Sequence, residues 1–231
     1  MHSSTALPAL ARKLTTRQWI LLAAPFVLTA SMAGIYQWFD AAIGYPAGYL
    51  AAFAVYWFGW CILFPAALLG GFRELVDLFR PFPRFGQLGW KTHLLLWWPV
   101  VFPLAFALIP RLSMVNGPIL LGSLLIGLLI GVTEEIFWRG LFFRLFPGNA
   151  WLNLVYPSIL FGLWHIAPQT VRASTMPGGV YSFVFYAVIL GVSYAFSVRR
   201  TKSIAWCTIS HVLHDTLGLG ALAYAAWLGW A

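Results

Sequence analysis

The chain has 231 residues, 61% of them hydrophobic and 9% charged, with a formal net charge of +8 at pH 7. Soluble domains carry about 25% charged residues, so an ordinary soluble domain is excluded; a β-barrel is excluded too, because the short alternating segments it needs are absent. The positive charge lies between long apolar runs, the pattern of a polytopic membrane protein rather than of a nucleic-acid surface.

The expected fold class is all-α, because apolar runs of about 20 residues are what helices need to cross a bilayer. Residues 1–17 read as a tail, with Arg12, Lys13 and Arg17 ahead of a first span at about Gln18–Phe39. That span exceeds the apolar core of a signal peptide and is expected to stay as an anchor. A second span runs from about Tyr45 to Leu69 and a third from about Thr92 to Ile109. The basic connection at 71–91 joins them. In it Phe72, Leu75, Val76 and Phe79 alternate with Arg73, Glu74, Asp77 and Arg80, which fits a short helix on the membrane surface. A fourth span covers about Pro118–Phe146, a fifth Trp151–His165 and a sixth Tyr181–Val198. The stretch from Ser203 to Ala231 fits one long helix, or two short ones broken near Gly218 and Gly220. Residues 18–116 thus hold three N-terminal spans, and 117–231 form the remaining unit.

Counting Lys and Arg orients the chain. Arg12, Lys13, Arg17, Arg73, Arg80, Arg84, Lys91, Arg144, Arg199, Arg200 and Lys202 fall on one side, against Arg111 and Arg172 on the other. The expected topology therefore has a cytoplasmic N-terminus. Cys61 and Cys207 lie in apolar runs and read as small buried hydrophobes. Gly127 and Gly131 form a GxxxG on the fourth span, which permits close helix approach and needs no more than ordinary packing.

Seven ionisable residues sit inside apolar segments: Glu134, Glu135, Arg139, His165, His211, His214 and Asp215. They include three of the six acidic residues and three of the five histidines. Charge within a span is costly and marks function. Glu135 and Arg139 are i,i+4, the favourable orientation for an ion pair on one helix face. Glu134 is rotated about 100° from Glu135 and so stays free to act as a base. Phe161 and His165 are i,i+4 on the fifth span, and His211 and Asp215 are i,i+4 on the last. His214 is expected to be a supporting or boundary residue. Counting a rise of 1.5 Å per residue from the basic side puts Glu134 about 18 Å, His165 about 21 Å and His211 about 12 Å deep, depths compatible with one cavity.

A carboxylate with imidazoles in a wet cavity can activate water and stabilise an oxyanion. That is amide hydrolysis without a covalent intermediate. No HExxH, G-x-S-x-G or GxGD signature is present.

EEIFWR (Glu134–Arg139), FGLWH (Phe161–His165) and HVLHD (His211–Asp215) resemble, in order, the EExxxR, FxxxH and HxxxN/D motifs of the CPBP family, the CAAX-protease and bacteriocin-processing glutamic intramembrane proteases. The run GVSYAFSVRRTKSIAWCTISH, with Thr201, Ser203 and Ile204, is also similar to that family, and the likeness covers about Pro118–Gly220. The resemblance implies a bundle of seven or eight transmembrane helices with the catalytic core in 117–231. It implies Glu134 as the base with His165 as its partner, an oxyanion hole of His211 and Asp215, and Glu135, Arg139 and Phe161 in support. It implies no metal or other cofactor. Asp215 departs from the asparagine of the eukaryotic enzymes, and an ionised aspartate would repel an oxyanion. It must therefore be protonated or serve to orient His211.

The expected activity is a metal-independent endopeptidase acting on a membrane-associated protein or peptide, with the bilayer as partner and no nucleic acid, in the plasma membrane of a prokaryote. The alternatives are a metal-dependent protease, a transporter or proton relay, and an immunity protein of the same fold. The transporter lacks support from inverted repeats or paired broken helices.

Overall fold

The computed structural model describes residues 13–230, so Arg12, most of the 1–17 tail and Ala231 lie outside the described residues. The fold is all-helical, with no strand among the described residues. Among the described residues seven longer helical segments build it, with short helices between them: α1 (Thr16–Ile43), α2 (Ala47–Leu69), α3 (Trp90–Met114), α4 (Gly117–Leu145), α5 (151–164), α6 (Gly179–Thr201) and α7 (Ala205–Leu217). Among the described residues five of them, α1, α2, α3, α4 and α6, are long and apolar enough to cross a membrane. The protein is an integral membrane protein.

Local chemistry explains where these helices start and bend. Thr15 and Gln18 form a reciprocal capping box at the start of α1, which satisfies two backbone donors that a helix start leaves unpaired. Asn116 caps α4, its side chain accepting from the Ile119 N–H at 2.9 Å. Four helices switch to π-helical geometry over part of their length: Val55–Leu63 in α2, Leu104–Leu108 in α3, Ile136–Leu141 in α4 and Trp151–Val155 in α5. Such insertions are rare and gather at functional sites. The one in α4 begins directly after Glu135.

Two expectations need correction. The Ser203–Ala231 stretch breaks at Gly218, as the second alternative expects, but only its first part is an α-helix. It is the 13-residue α7, followed by a 3-10 turn at Gly220–Ala223 and further turns. At 1.5 Å per residue α7 is about 20 Å long, and the small residues Gly218 and Gly220 end it. The fifth span, expected at Trp151–His165, follows that expectation: it runs from Trp151 to Trp164 with His165 at its C-cap. The surface helix of the connection is reduced to Phe72–Asp77. Phe72 and Val76 are exposed, but Leu75 and Leu78 turn into the core, so the segment plugs the end of the bundle as well as covering it.

The basic ends of the spans meet at one end of the molecule. Gln18 donates to the Leu145 carbonyl (2.7 Å), Arg144 pairs with Glu74 (2.8 Å), Arg199 donates to the buried Asn153 (2.6 Å), and Trp206 donates to the Pro83 carbonyl (2.8 Å). At the opposite end the Arg172 guanidinium lies over the Tyr45 ring (4.2 Å) and Asn116 reaches the Trp230 carbonyl.

Helix α4 shows how composition becomes packing. Leu121, Leu125 and Leu128 are exposed on one face, as a lipid-facing stripe must be. On the other face Gly127 and Gly131 lie against α7. A Cβ on Gly127 would stand 2.9 Å from Thr216 Oγ1 and from the Val212 carbonyl oxygen, and one on Gly131 2.8 Å from the Val212 backbone nitrogen. In a bilayer, where apolar side chains gain nothing by leaving lipid, close backbone contact of this kind drives association. The GxxxG therefore seats the helix carrying His211 and Asp215 against the helix carrying Glu134 and Glu135.

Candidate active site

The seven ionisable residues singled out in the sequence gather inside the bundle. Glu134 and His211 are each 3% exposed, Glu135 0% and Arg139 2%. Glu135 is the hub. Its Oε1 lies 2.8 Å from Arg139 Nη1 and 2.8 Å from His211 Nδ1. The expected i,i+4 pair is thus present. The link from Glu135 to His211 is an addition that helix spacing alone does not reveal, since it joins two helices.

Arg139 does more than neutralise Glu135. Its guanidinium carbon lies 4.1 Å from the centroid of the Phe161 ring and 5.4 Å from that of Tyr194. Phe161 is thereby sandwiched among Arg139, Trp138, His165 and His211. Cation–π contact of this kind is strongest where water is excluded.

Glu134 points away from this pair, as its rotation on the helix requires. Its Oε2 lies 3.8 Å from His211 Nε2. Asp215 Oδ2 lies 3.5 Å from the same nitrogen and has no hydrogen-bond partner among the described residues. His165 Nδ1 lies 2.7 Å from the carbonyl oxygen of Phe161. A carbonyl can only accept, so Nδ1 carries the proton and Nε2 keeps its lone pair. The same logic applied to His211 has a different result. Its Nδ1–H donates to Glu135, so its Nε2 can donate to an oxyanion only as the imidazolium, whose charge Glu135 offsets.

Glu134, His165, His211 and Asp215 all line one cavity of about 230 Å³, with Phe161, Phe183 and Tyr186 among its walls. Among the described residues no group of three or more His, Cys, Asp or Glu side chains is arranged to hold a metal ion. Cys61 and Cys207 are free and buried.

His214 is more than a boundary residue. It borders this cavity and stacks on Tyr186, with ring centroids 5.8 Å apart. Its Nδ1 donates to the Pro99 carbonyl at 2.7 Å. Pro103, four residues on, lacks the N–H that would bond that oxygen inside α3, and His214 supplies the missing donor from α7. Ser210 Oγ likewise donates to the Leu96 carbonyl.

Sequence reasoning missed the contributions of α2 and α6. Tyr56, wholly buried, accepts from Trp138 Nε1 at 2.8 Å and stacks on Trp164 at 3.8 Å, and Phe53 lines the cavity. These residues carry no charge, and their aromatic spacing is that of any buried span. The site is therefore walled by residues of both the N-terminal spans and the 117–231 segment.

The Rce1-like family model, described as Type II CAAX prenyl endopeptidase Rce1-like, matches residues 116–217. The matched segment contains α4, α5, α6 and α7 and every candidate site residue. No curated protein and no solved structure matches the chain. Over residues 116–217, which carry the three motifs, the chain is thus similar to the Rce1-like type II CAAX prenyl endopeptidases of the CPBP family.

Proposed function

We propose that the protein is a metal-independent glutamic endopeptidase that cleaves a membrane-associated protein or peptide inside the bilayer. The family supports an intramembrane endopeptidase. The observation that carries the finer reading is the division of labour between the two glutamates. Glu135 is committed to Arg139 and His211, while Glu134 faces the cavity shared with His165, His211 and Asp215.

In this reading a water in the cavity gives a proton to Glu134, assisted by the unprotonated Nε2 of His165. The hydroxide attacks the scissile carbonyl. The resulting oxyanion is met by His211 Nε2–H, held in place by Glu135. Glu134 then returns the proton to the leaving amine, so the carboxylate is regenerated and one water is consumed per bond. Asp215 orients His211 from the other side. The substrate class is CAAX-type, leader or C-terminal sorting-signal processing. The topology is N-inside, in a prokaryotic plasma membrane, and 117–231 is the catalytic core supported by the three N-terminal spans.

The test compares peptide termini in membranes of cells expressing wild type or Glu134→Gln at matched levels, with the wild type repeated in chelator. Termini lost with Glu134→Gln and kept in chelator are expected. Loss in chelator as well would point to a metal enzyme, and no difference in any arm to a non-enzymatic member of the fold.

A further inference from the structure

The catalytic cavity is too small for a polypeptide substrate. Pockets that bury a drug-sized ligand hold about 300–1,000 Å³, whereas this one holds about 230 Å³. It accommodates a scissile amide and little of the chain on either side. An endopeptidase must hold chain on both sides, so the rest of the substrate needs another place.

Such a place adjoins it. A second cavity, of about 720 Å³, lies between α3, α6 and the turn at 174–177, and it shares Phe183, Tyr186 and His214 with the catalytic cavity. Its apolar walls include Phe102, Phe106, Leu219 and Leu222, and its rim carries Ser174, Thr175 and Arg111. The two cavities at the basic end, one bounded by Lys91 and Arg200 and the other by Arg80 and Lys202, share no residue with the catalytic cavity. Between that end and Glu134 stand Phe137, Trp138, Leu141 and Phe142, all fully buried.

We propose that this second cavity receives an apolar stretch of the substrate polypeptide next to the scissile bond, and that substrate approaches from the end bearing Arg111. The proposal rests on the endopeptidase reading above. Three features favour a polypeptide over an acyl chain. The cavity runs directly into the catalytic one. Its floor of aromatic rings suits apolar side chains. Its rim offers hydroxyl and guanidinium groups, which backbone amides need and an acyl chain does not. In the N-inside orientation this end faces away from the cytoplasm, so within the classes above the proposal favours leader or C-terminal sorting-signal substrates over a CAAX-type one, whose C-terminus lies on the cytoplasmic side.

The test uses the full chain in nanodiscs and a short synthetic apolar peptide, blocked at both ends, with a central benzophenone amino acid. Photocrosslinks of the Glu134→Gln protein are expected within 102–111 and 174–177, and they should fall about tenfold, a cost of about 1.4 kcal/mol in binding, when Phe106→Cys is capped with a bulky thiol reagent. Phe106 is 67% exposed, so this change leaves the core untouched. Capped Gln87→Cys, in a basic-end cavity, should leave the crosslinks unchanged. Crosslinks around Gln87, or crosslinks displaced by oleate but not by unlabelled peptide, would overturn the proposal, the second by identifying a lipid groove. Whether wild type cleaves the probe and Glu134→Gln does not is read separately, so the peptidase reading can fail while the cavity assignment stands.

Discussion

Replacing Arg139 by alanine should unseat the candidate site by a route that can be worked through in numbers. Arg139 is buried at 2% exposure, its Nη1 2.8 Å from Glu135 Oε1. Removing one partner of a buried pair leaves an uncompensated charge, which costs about 3–5 kcal/mol. The lost stacking on Phe161 adds about 0.5–2 kcal/mol. For a chain of this size each kcal/mol moves the melting temperature by roughly 2–4 °C, so the expected drop is on the order of 10 °C or more. The assay is thermal unfolding in detergent, followed by intrinsic tryptophan emission, with activity measured in parallel. A matched control separates charge from bulk. Arg139→Met with Glu135→Leu removes both charges and should recover most of the stability, because apolar replacement of a whole buried pair is often neutral. It should stay inactive, because His211 Nδ1 then has no acceptor. An Arg139→Ala protein that melts within about 2 °C of wild type would refute the ion-pair reasoning. An active double variant would refute the role of Glu135 in holding His211.

Glu134→Gln should lower the rate of peptide cleavage by about 10²–10⁴-fold, the usual contribution of a general base, with thermal unfolding little changed; cleavage at the wild-type rate would end the glutamic mechanism. Gly131→Val should push α7 off α4, because a Cβ there already meets the Val212 backbone at 2.8 Å. A cost of about 1–3 kcal/mol and loss of activity are expected, and unchanged melting and turnover would show that the GxxxG does not position His211. His214→Ala should leave the Pro99 carbonyl without its donor, at a cost of about 1–3 kcal/mol. Adding Pro103→Ala restores an intrahelical N–H and should recover part of that loss in a double-mutant cycle; strictly additive effects would sink the coupling.

Much of this protein was written in residue order. Apolar runs set the spans, because a helix crossing a bilayer needs length and low polarity and little else. The five long spans therefore fall close to their expected limits. The candidate site residues stood out because charge in an apolar run is rare, and the i,i+4 spacing of Glu135 and Arg139 predicted their pairing within one helix. What the sequence left open involves contacts between helices, or geometry inside one that no residue type announces. The Glu135–His211 link joins α4 to α7, and the Pro99–His214 bond joins α3 to α7. Tyr56 and Phe53 reach the site from α2 without any charge to mark them. The π-helical turn after Glu135 arises where packing outweighs local preference. Sequence spacing determined which charges lie on which helix and on which face; tertiary structure decided which of them meet, because that depends on how closely glycine faces let the helices approach.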